Sequence, residues 1–464
     1  MRMARILRPE GLSGEAITEI TCELMLRIGR ATAQALGKGC AHAPVIYISH
    51  DPRRAADALE AALCAGICAG GGIAHCLGVL PTAGMALLLS AEDGDAGISL
   101  AGGDKPFEQI CVRFFAKTGF PMPAEQLDSI SALLPASAAL PLKSQNDCGI
   151  IARQADAVNR YLRLLNTRLS TPMDLRGKKP VRIALDCANG AVSAVAEPLL
   201  RQLGAEVLML HYTPDGLNIN HGCGVKSTDQ IISFVRDYGC DAGFAFDGDG
   251  MRCLAADESG ELLDGDRLLA ILCQERLDQQ ANLPELLPRD MQRGVAATFV
   301  TNLGFLRFAK ARGIPVQTTQ PAPQFVLEKM HDLGLPLGGD GSGCLYFADS
   351  PAPDALMTVA RVIQVMQRTG KKLSELAAVM EHDPQVALSV RIPHYWREIW
   401  KNDPDIARFI AACEQELGTD GRILVRERKE DAAIRVMVEG RDFRRINNYA
   451  FAIAEVIQSR TKKQ

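Results

Sequence analysis

The chain has 464 residues, of which 47% are hydrophobic and 23% are charged, enough to bury several domain-sized cores. Its net charge of −4 and its lack of a long basic run argue against nucleic acid or an anionic membrane as the main partner. No segment has the apolar length of a signal peptide or a membrane span, so we expect a cytoplasmic protein.

Segments with helical and strand-like periodicity alternate through most of the chain. Repeated strand–helix–strand order predicts α/β domains with largely parallel sheets. The predicted helices cover residues 16–36, 53–66, 192–204, 302–313 and 323–334. The predicted strands fall within residues 43–49, 181–191, 206–212, 294–300 and 314–319.

The last part of the chain has a different pattern. A strand-like segment at 387–394, two more within 421–440 and a final helix at 445–459 predict a small α+β domain. Polar or Pro- and Gly-containing stretches interrupt the pattern near Asp147, Leu263 and Glu381. The predicted domains are therefore residues 1–147, 148–263, 264–381 and 382–464.

Fourteen cysteines are scattered through these segments without a CxxC pair or a clustered Cys/His spacing. This distribution is typical of reduced, buried thiols rather than of disulfides or a zinc site.

Four ordered motifs resemble the α-D-phosphohexomutases, and within that superfamily the bacterial phosphoglucosamine mutases. They are ALDCANGA at 184–191, PDGLNINHGCG at 214–224, FAFDGDG at 244–250 and IRVMVEG at 434–440. The resemblance extends over nearly the whole chain. It implies an α/β fold with four domains around a central cleft: three related α/β domains with mixed sheets and a C-terminal α+β domain.

The resemblance also implies a reaction. In such mutases a phosphoserine on the first domain gives its phosphate to a sugar phosphate, and the bisphosphate intermediate turns over before returning one. This chemistry needs a nucleophile, a cation against the oxygen charge, sugar contacts and a loop that binds the distal phosphate. Each can be compared with this sequence.

The nucleophile loop of the family aligns with GISLAGGDKPFEQICVRFF, residues 97–115. The position of the reactive serine holds Gly103, and its histidine neighbour is replaced by Asp104. Glycine has no side chain to phosphorylate. Asp104 and Ser99 are the residues considered as substitutes, because a carboxylate or a hydroxyl can accept a phosphoryl group.

The metal loop of the family reads DGDxDR, with three aspartates that bind Mg²⁺. Here Asp247 and Asp249 remain, Met251 takes the third place, and Arg252 is retained. A thioether is too soft a ligand for Mg²⁺. Two carboxylates and water would hold the ion weakly, so the resemblance implies a vestigial site.

The sugar loop and the phosphate loop of the family are also changed. GGDGSGC at 338–344 replaces GGEQSGH, which leaves Asp340, Ser342 and Cys344 as candidates for sugar contacts. RERKEDAAIRVMVEG at 426–440 replaces RPSGTEPLVRVMVEG. The vestigial phosphate-loop candidates are Arg426, Arg428, Lys429 and Arg435. Arg53, in SHDPRR, is a further cleft candidate together with Arg252.

Motifs that pack or turn agree with the family pattern, whereas the loops that would carry chemistry differ. We therefore expect a folded shell that has lost mutase activity and acts as a binding or regulatory pseudoenzyme. Two alternatives stay open. One is an active phosphohexomutase that interconverts sugar 6-phosphate and sugar 1-phosphate with atypical residues such as Asp104. The other is an enzyme with new chemistry in the old cleft, for which Cys344 is the candidate.

This interpretation carries expectations about ligands and partners. We expect no tightly bound cofactor, with weak binding of Mg²⁺ at Asp247 and Asp249 as the remaining prospect. The expected partners are a phosphosugar ligand and either a second copy of the chain or a protein partner such as an active mutase.

Overall fold

A computed structural model describes residues 7–38, 41–135, 143–169, 179–282, 290–396, 399–428 and 433–462 of the chain. They form four β-sheets with helices packed against them. By its contacts the chain divides into two compact units. The first is Met1–Val300 together with Gly313–Val379, and the second is Thr301–Arg312 together with Met380–Gln464.

The first sheet has six strands in the order β1-β5-β4-β2-β3-β6. Strands β2, β3, β4 and β6 run parallel, whereas β5 is antiparallel to β4 and β1 is antiparallel to β5. The strands are β1 (Leu12–Glu15), β2 (Val45–His50), β3 (Ile73–Val79), β4 (Ala96–Leu100), β5 (Gln109–Ala116) and β6 (Ile151–Arg153). The helices are α1 (Cys22–Gly37), α2 (Ala56–Ala69), α3 (Thr82–Ala91) and α4 (Ala124–Leu133).

The second sheet has the order β11-β10-β9-β7-β8 and is also mixed. Strands β7, β8 and β9 run parallel, and β10 and β11 are added in antiparallel fashion. The strands are β7 (Arg182–Asp186), β8 (Glu206–Leu210), β9 (Ala242–Phe246), β10 (Cys253–Asp257) and β11 (Leu262–Leu263). The helices are α5 (Ala157–Leu169), α6 (Ala196–Gln202) and α7 (Asp229–Tyr238).

The third sheet has four strands in the order β13-β12-β14-β15, of which only β15 is antiparallel to its neighbour. The strands are β12 (Val295–Thr298), β13 (Val316–Thr319), β14 (Leu337–Gly339) and β15 (Leu345–Phe347). The helices of this part of the chain are α8 (Gly265–Asn282), α9 (Leu303–Ala311), α10 (Pro323–Leu333), α11 (Ala355–Thr369) and α12 (Leu373–Ala377). Helix α9 falls in the second compact unit.

The second unit also contains an antiparallel sheet in the order β16-β18-β17. Its elements are β16 (Gln385–Arg391), α13 (Pro404–Leu417), β17 (Gly421–Arg428), β18 (Ala433–Gly440) and α14 (Phe443–Lys462). The predicted α+β character of the last part of the chain is confirmed.

Local chemistry explains where the elements start. The predicted helix at 16–36 begins only at Cys22, because residues 12–15 form β1 and the Thr21 side chain accepts a bond from the Leu24 N–H at 3.1 Å as an N-cap. The predicted helix at 192–204 is a short 3₁₀ segment followed by α6. Proline lacks an N–H and fits only a first turn, so Pro198 requires the α-helix to begin close to Ala196.

The core has the alternation expected of layered α/β structure. Strand β4 is buried along its full length, as parallel strands covered by helices on both faces usually are. Strand β6 pairs with β3, so the first sheet includes residues beyond the predicted boundary at 147. Among the residues described, no helix is both long and apolar enough to cross a bilayer.

Candidate functional site

The loop after β4 carries the residue that aligns with the family nucleophile. Gly103 has φ +61°, in the left-handed region that L-residues other than glycine rarely adopt. A Cβ atom built there would lie 3.7 Å from Asp247 Oδ2 and 3.7 Å from a terminal nitrogen of Arg113. The position that aligns with the nucleophile therefore lies close to the acidic loop, and Gly103 has no side chain to extend towards it.

A buried ion pair holds this loop from beneath. Arg53 is 1% exposed, and its guanidinium donates to the carboxylate of Asp51, to Lys105 O at 2.5 Å and to Pro106 O at 3.4 Å. Asp51 Oδ2 also accepts the Gly102 N–H at 2.8 Å. Burial raises the pKa of Asp51 despite the opposing charge of Arg53. The guanidinium of Arg53 bonds only to Asp51 and to backbone oxygens of the loop in these contacts. Arg53 is therefore a positioning residue rather than a side chain exposed to a ligand.

The same loop is held from the second sheet by Asn220. Its amide donates to Gly103 O at 2.8 Å and to Lys105 O at 2.7 Å, and the Gly248 N–H also donates to Gly103 O at 3.2 Å. Asn220 has φ +57° and belongs to the PDGLNINHGCG motif. Asp186 anchors that motif by accepting the Gly224 N–H at 2.8 Å.

The acidic loop connects β9 to β10. Asp247 Oδ1 accepts the backbone N–H groups of Met251 at 2.9 Å and Arg252 at 3.0 Å, so one of its oxygens stabilises the turn. Met251 is 7% exposed and fills the apolar side of the turn. Burial and the neighbouring Asp249 raise the pKa of Asp247 well above its usual value, with Arg252 opposing.

Arg113 on β5 is the residue of this site that sequence reasoning missed. Its Nη1 lies 2.6 Å from Asp249 Oδ2, and the two side chains are 24% and 1% exposed. Burial opposes the charge on Arg113, but Asp249 outweighs it, and the pKa of the guanidinium is raised. A single cation in an otherwise apolar strand, QICVRFFA, is the signal that could have pointed to this pair.

These surroundings do not fit Mg²⁺. The ion prefers about six oxygen ligands in octahedral geometry. Here Asp249 Oδ2 already faces a guanidinium, Asp247 Oδ1 accepts two backbone bonds, and the third place of the motif is the thioether of Met251. Asp249 Oδ1 has no hydrogen-bond partner within the described part of the chain, which leaves it and Asp247 Oδ2 as the remaining oxygens. Two oxygens beside a fixed positive charge do not make an octahedral site.

The two residues considered as substitute nucleophiles are both engaged. Asp104 Oδ2 lies 3.2 Å from Lys226 Nζ and 3.2 Å from Arg252 Nη1. The same carboxylate oxygen contacts two cations, so it would have to leave them before it could attack a phosphoryl group. Ser99 is fully buried on β4, with its hydroxyl 2.8 Å from Thr82 Oγ1. Ser99 therefore has no path to a substrate.

The sugar-loop residues form a turn between β14 and β15. Asp340 Oδ1 accepts the Ser342 N–H at 2.8 Å and the Ser342 hydroxyl, so its carboxylate is partly occupied within the turn. Burial raises the pKa of Asp340. Cys344 is 4% exposed, and burial raises the pKa of its thiol to about 12 although Arg252 opposes the shift. A buried thiol of this kind is a poor nucleophile at neutral pH, which argues against new chemistry at Cys344.

Among the cysteines that the structure describes, thiol labelling at pH 8 is expected to modify Cys148 first and to leave Cys344 unmodified until the protein unfolds. Cys148 is exposed, whereas Cys344 is buried. The measurement is the rate of reaction with an aromatic disulfide reagent, with sites identified by peptide mass spectrometry. A Cys344→Ser variant serves as control and should give the same fast phase. Labelling of Cys344 ahead of Cys148 would contradict the assignment.

The phosphate-loop candidates lie in the second compact unit. Arg426 on β17 pairs directly with Arg435 on β18 in the antiparallel register, so both side chains project from one face of that sheet. The side chain of Arg428 and the whole of Lys429 lie outside the described residues.

Substitution of Gly103 tests its backbone conformation. Gly103→Ala is expected to destabilise the protein by about 1–2 kcal/mol, because an L-side chain disfavours the left-handed region. Gly103→Asn should cost less, because asparagine tolerates this conformation. The neighbouring atoms stand at 3.7 Å, so no clash adds to the cost. Urea denaturation measures both variants, and an equal or larger loss for asparagine would refute the conformational explanation.

Comparisons with known proteins agree with the fold and the motifs. The chain matches three family models described as Phosphoglucomutase/phosphomannomutase, alpha/beta/alpha domain I over residues 4–139, domain II over 159–260 and domain III over 264–382. It is 35% identical over 460 residues to the phosphoglucosamine mutase of Clostridium novyi, with 99% of each chain covered. It is also 35% identical over 462 residues to that of Acetivibrio thermocellus, covering 99% of this chain and 100% of the relative.

Solved structures share the fold at lower identity. A phosphoglucomutase/phosphomannomutase family protein from Burkholderia thailandensis superposes with a TM-score of 0.78 at 19% identity, covering 99% of this chain and 98% of the other. The Aspergillus fumigatus N-acetylphosphoglucosamine mutase, in complex with GlcNAc-6P and magnesium, gives a TM-score of 0.67 at 14% identity, covering 98% and 95%.

Proposed function

The chain belongs to the phosphoglucomutase/phosphomannomutase family, and from this premise we propose that it is a phosphoglucosamine mutase-like protein without mutase activity. It acts instead as a binding or regulatory pseudoenzyme with a phosphosugar ligand. The observation that carries the proposal is Gly103, which stands where the family has its phosphoacceptor and faces Asp247 and Arg113. A phosphoenzyme route has no atom at that point to hold the phosphate.

The neighbourhood of Gly103 supports the same conclusion. A transferred phosphoryl group needs a cation that bridges its oxygens. The cation present is the guanidinium of Arg113, which is bound to Asp249 at 2.6 Å. Groups that act together in catalysis contribute large, non-additive factors, so the loss of the acceptor and the metal site removes most of the rate. We infer that the protein needs no Mg²⁺ for its function.

The positive part of the proposal is retention of phosphosugar binding. Asp340 and Ser342 remain in the sugar loop, and Arg252 and Lys226 lie beside the Gly103 loop through their contacts with Asp104. A relative's structure contains GlcNAc-6P, so a sugar 6-phosphate is the ligand class to test first. We propose that the bound form pairs with a second copy of this chain or with an active mutase.

The alternative is an active phosphohexomutase that interconverts sugar 6-phosphate and sugar 1-phosphate. It is favoured by the 35% identity to phosphoglucosamine mutases over 99% of the chain, and it would use Asp104 as the phosphoacceptor. An aspartyl phosphate would first require Asp104 to leave Lys226 and Arg252. This rearrangement is the reason to prefer the inactive form.

A coupled assay separates the two functions. Glucosamine 6-phosphate is incubated with high protein concentration, Mg²⁺ and a sugar bisphosphate activator, and formation of the 1-phosphate is followed. We expect the rate of the natural chain to equal that of an Asp104→Asn, Asp249→Asn double variant, which corrects for contaminating host mutase. Turnover above that control, together with phosphorylated Asp104 in mass spectrometry, would establish the active alternative.

Calorimetric titration of glucosamine 6-phosphate tests the binding claim separately. Binding without turnover is expected, and an Asp340→Ala variant should bind the sugar phosphate more weakly. No heat of binding at millimolar ligand would remove the phosphosugar from the proposal.

A further inference from the structure

A cavity lies at the junction of helices α5, α8 and α11 with strands β14 and β15. Its volume is about 340 Å³, within the range of small-molecule sites. None of its lining residues belongs to the Gly103 loop, the acidic loop or the sugar-loop turn described above. Four arginines line it: Arg168, Arg276, Arg361 and Arg368.

Two carboxylates also line the cavity. Glu275 accepts a bidentate pair of bonds from Arg368, with Nε at 2.8 Å. Asp349 Oδ2 lies 2.7 Å from Arg361 Nη2, whereas Arg168 donates to the backbone carbonyl of Asp349 rather than to its side chain. The lining therefore contains four guanidinium groups and two carboxylates.

Arg361 is the arginine of this lining with an unused donor. Its Cζ lies 4.3 Å from the centre of the Phe347 ring, a cation–π contact. Its Nε is buried and has no hydrogen-bond partner among the residues that the structure describes. Burial lowers the pKa of Arg361, and the nearby Arg276 lowers it further against the opposing effect of Asp349. An anion bound beside Arg361 would accept a hydrogen bond from this Nε and would favour the charged form of the guanidinium.

The rest of the lining limits what that anion is. Leu272, Leu337 and Val365 provide an apolar wall beside the arginines. A bare inorganic ion would leave this wall without a contact, whereas an organic group would cover it. A phosphate monoester carries a charge of about −1.5 to −2 at neutral pH and has three oxygens that can accept bonds from more than one guanidinium. Arginine is the side chain best suited to bind its oxygens in pairs.

We propose that this arginine-lined cavity binds a small organic phosphate monoester, at a site separate from the former catalytic loops. The site is independent of whether the chain has kept mutase activity. It would give the protein a second ligand, held between α8 and α11, whose binding stabilises the folded chain.

Titration calorimetry with phenyl phosphate, and with inorganic phosphate for comparison, tests the proposal at constant ionic strength. Phenyl phosphate is expected to bind the natural chain more tightly than inorganic phosphate. Loss of a charge-assisted hydrogen bond should weaken the binding of phenyl phosphate about tenfold or more in Arg361→Gln and in Arg276→Gln. If Arg361→Gln does not fold, Arg276→Gln carries the test.

Two control variants locate the binding. Arg163→Gln removes a charge from α5 at a side chain that is 67% exposed, outside the cavity lining, and should leave the Kd unchanged. Arg252→Gln alters the former catalytic loops and should also leave it unchanged, so failure of the proposed function and failure of this site are distinguishable. No binding at 10 mM phenyl phosphate, or equal weakening by Arg252→Gln or Arg163→Gln, would overturn the proposal.

Discussion

Replacement of Arg113 by alanine is expected to destabilise the protein by about 3–5 kcal/mol at neutral pH, because it removes one partner of a buried ion pair. Asp249 is 1% exposed, and its Oδ2 lies 2.6 Å from the guanidinium. Without Arg113, the neighbouring buried carboxylates Asp247 and Asp249 would repel each other more strongly, with only the more distant effect of Arg252 on Asp247 to oppose the repulsion. Urea denaturation measures the loss, and Arg163→Ala, on an exposed helical surface, is the matched control.

The same variant should respond to Mg²⁺ and to pH in ways that the natural chain does not. Removal of the guanidinium frees Asp249 Oδ2 for a metal, so Mg²⁺ at millimolar concentration should raise the stability of the variant by binding the folded state alone. The pKa of Asp247 is raised in the folded chain, so the folded state holds its proton more tightly than the unfolded chain. The contribution of protonated Asp247 to the stability of the folded chain is therefore full below about pH 4. It is lost as the pH rises through the pKa that Asp247 has in the folded state.

Loss of Arg113 should make the stability of the folded chain fall more steeply as the pH rises. Equal pH profiles for the variant and the natural chain, together with no effect of Mg²⁺, would mean that Arg113 is not the cation of this site.

The sequence motifs predicted the fold well because most of them are packing features. The α/β order, the mixed sheets and the C-terminal α+β part follow from periodicity and from the resemblance. Close backbone contacts explain why glycine agrees with the family pattern at several turn positions. A Cβ on Gly190 would lie 2.4 Å from Gly248 O, and one on Gly343 would lie 2.2 Å from Cys253 O. Such positions admit only glycine whatever the protein does.

The candidate site was harder to predict because its decisive contacts join distant parts of the chain. The structure brings the Gly103 loop close to Asp247, since each follows a strand of its sheet, and the motifs named both positions as candidates. The sequence alone did not predict their distance. It gave no reason to pair Arg113 with Asp249, 136 positions away. Nor did it reveal that Asp104 is held by two cations, because neither Lys226 nor Arg252 is near it in sequence.

These contacts change the meaning of the altered motifs. Considered separately, Met251 and Gly103 each replace a functional residue of the family pattern. Together with Arg113 they agree with the proposed inactive form, in which the guanidinium bound to Asp249 would take the place of a divalent cation and Gly103 would offer no acceptor for a phosphate. The loop needs neither a metal nor a phosphoryl group to be ordered, because Arg53 and Asn220 hold it through its carbonyl oxygens.

Replacement of Arg53 by alanine is expected to lower the free energy of unfolding by about 3–5 kcal/mol. Arg53 is 1% exposed and Asp51 is fully buried, so the change leaves a carboxylate in the interior without its cation and removes one donor from each of two loop carbonyls. Arg53→Lys should not restore the lost stability, since one ammonium cannot reach Asp51, Lys105 O and Pro106 O together.

A double variant, Asp51→Leu with Arg53→Met, should lose less stability than Arg53→Ala because it removes both charges at once. Denaturation in urea gives the three free energies, and limited proteolysis should show new cleavage at residues 102–106 only in the variants that lack Arg53. A loss below about 1 kcal/mol for Arg53→Ala, with the loop still protected, would mean that Asn220 alone is enough to order it.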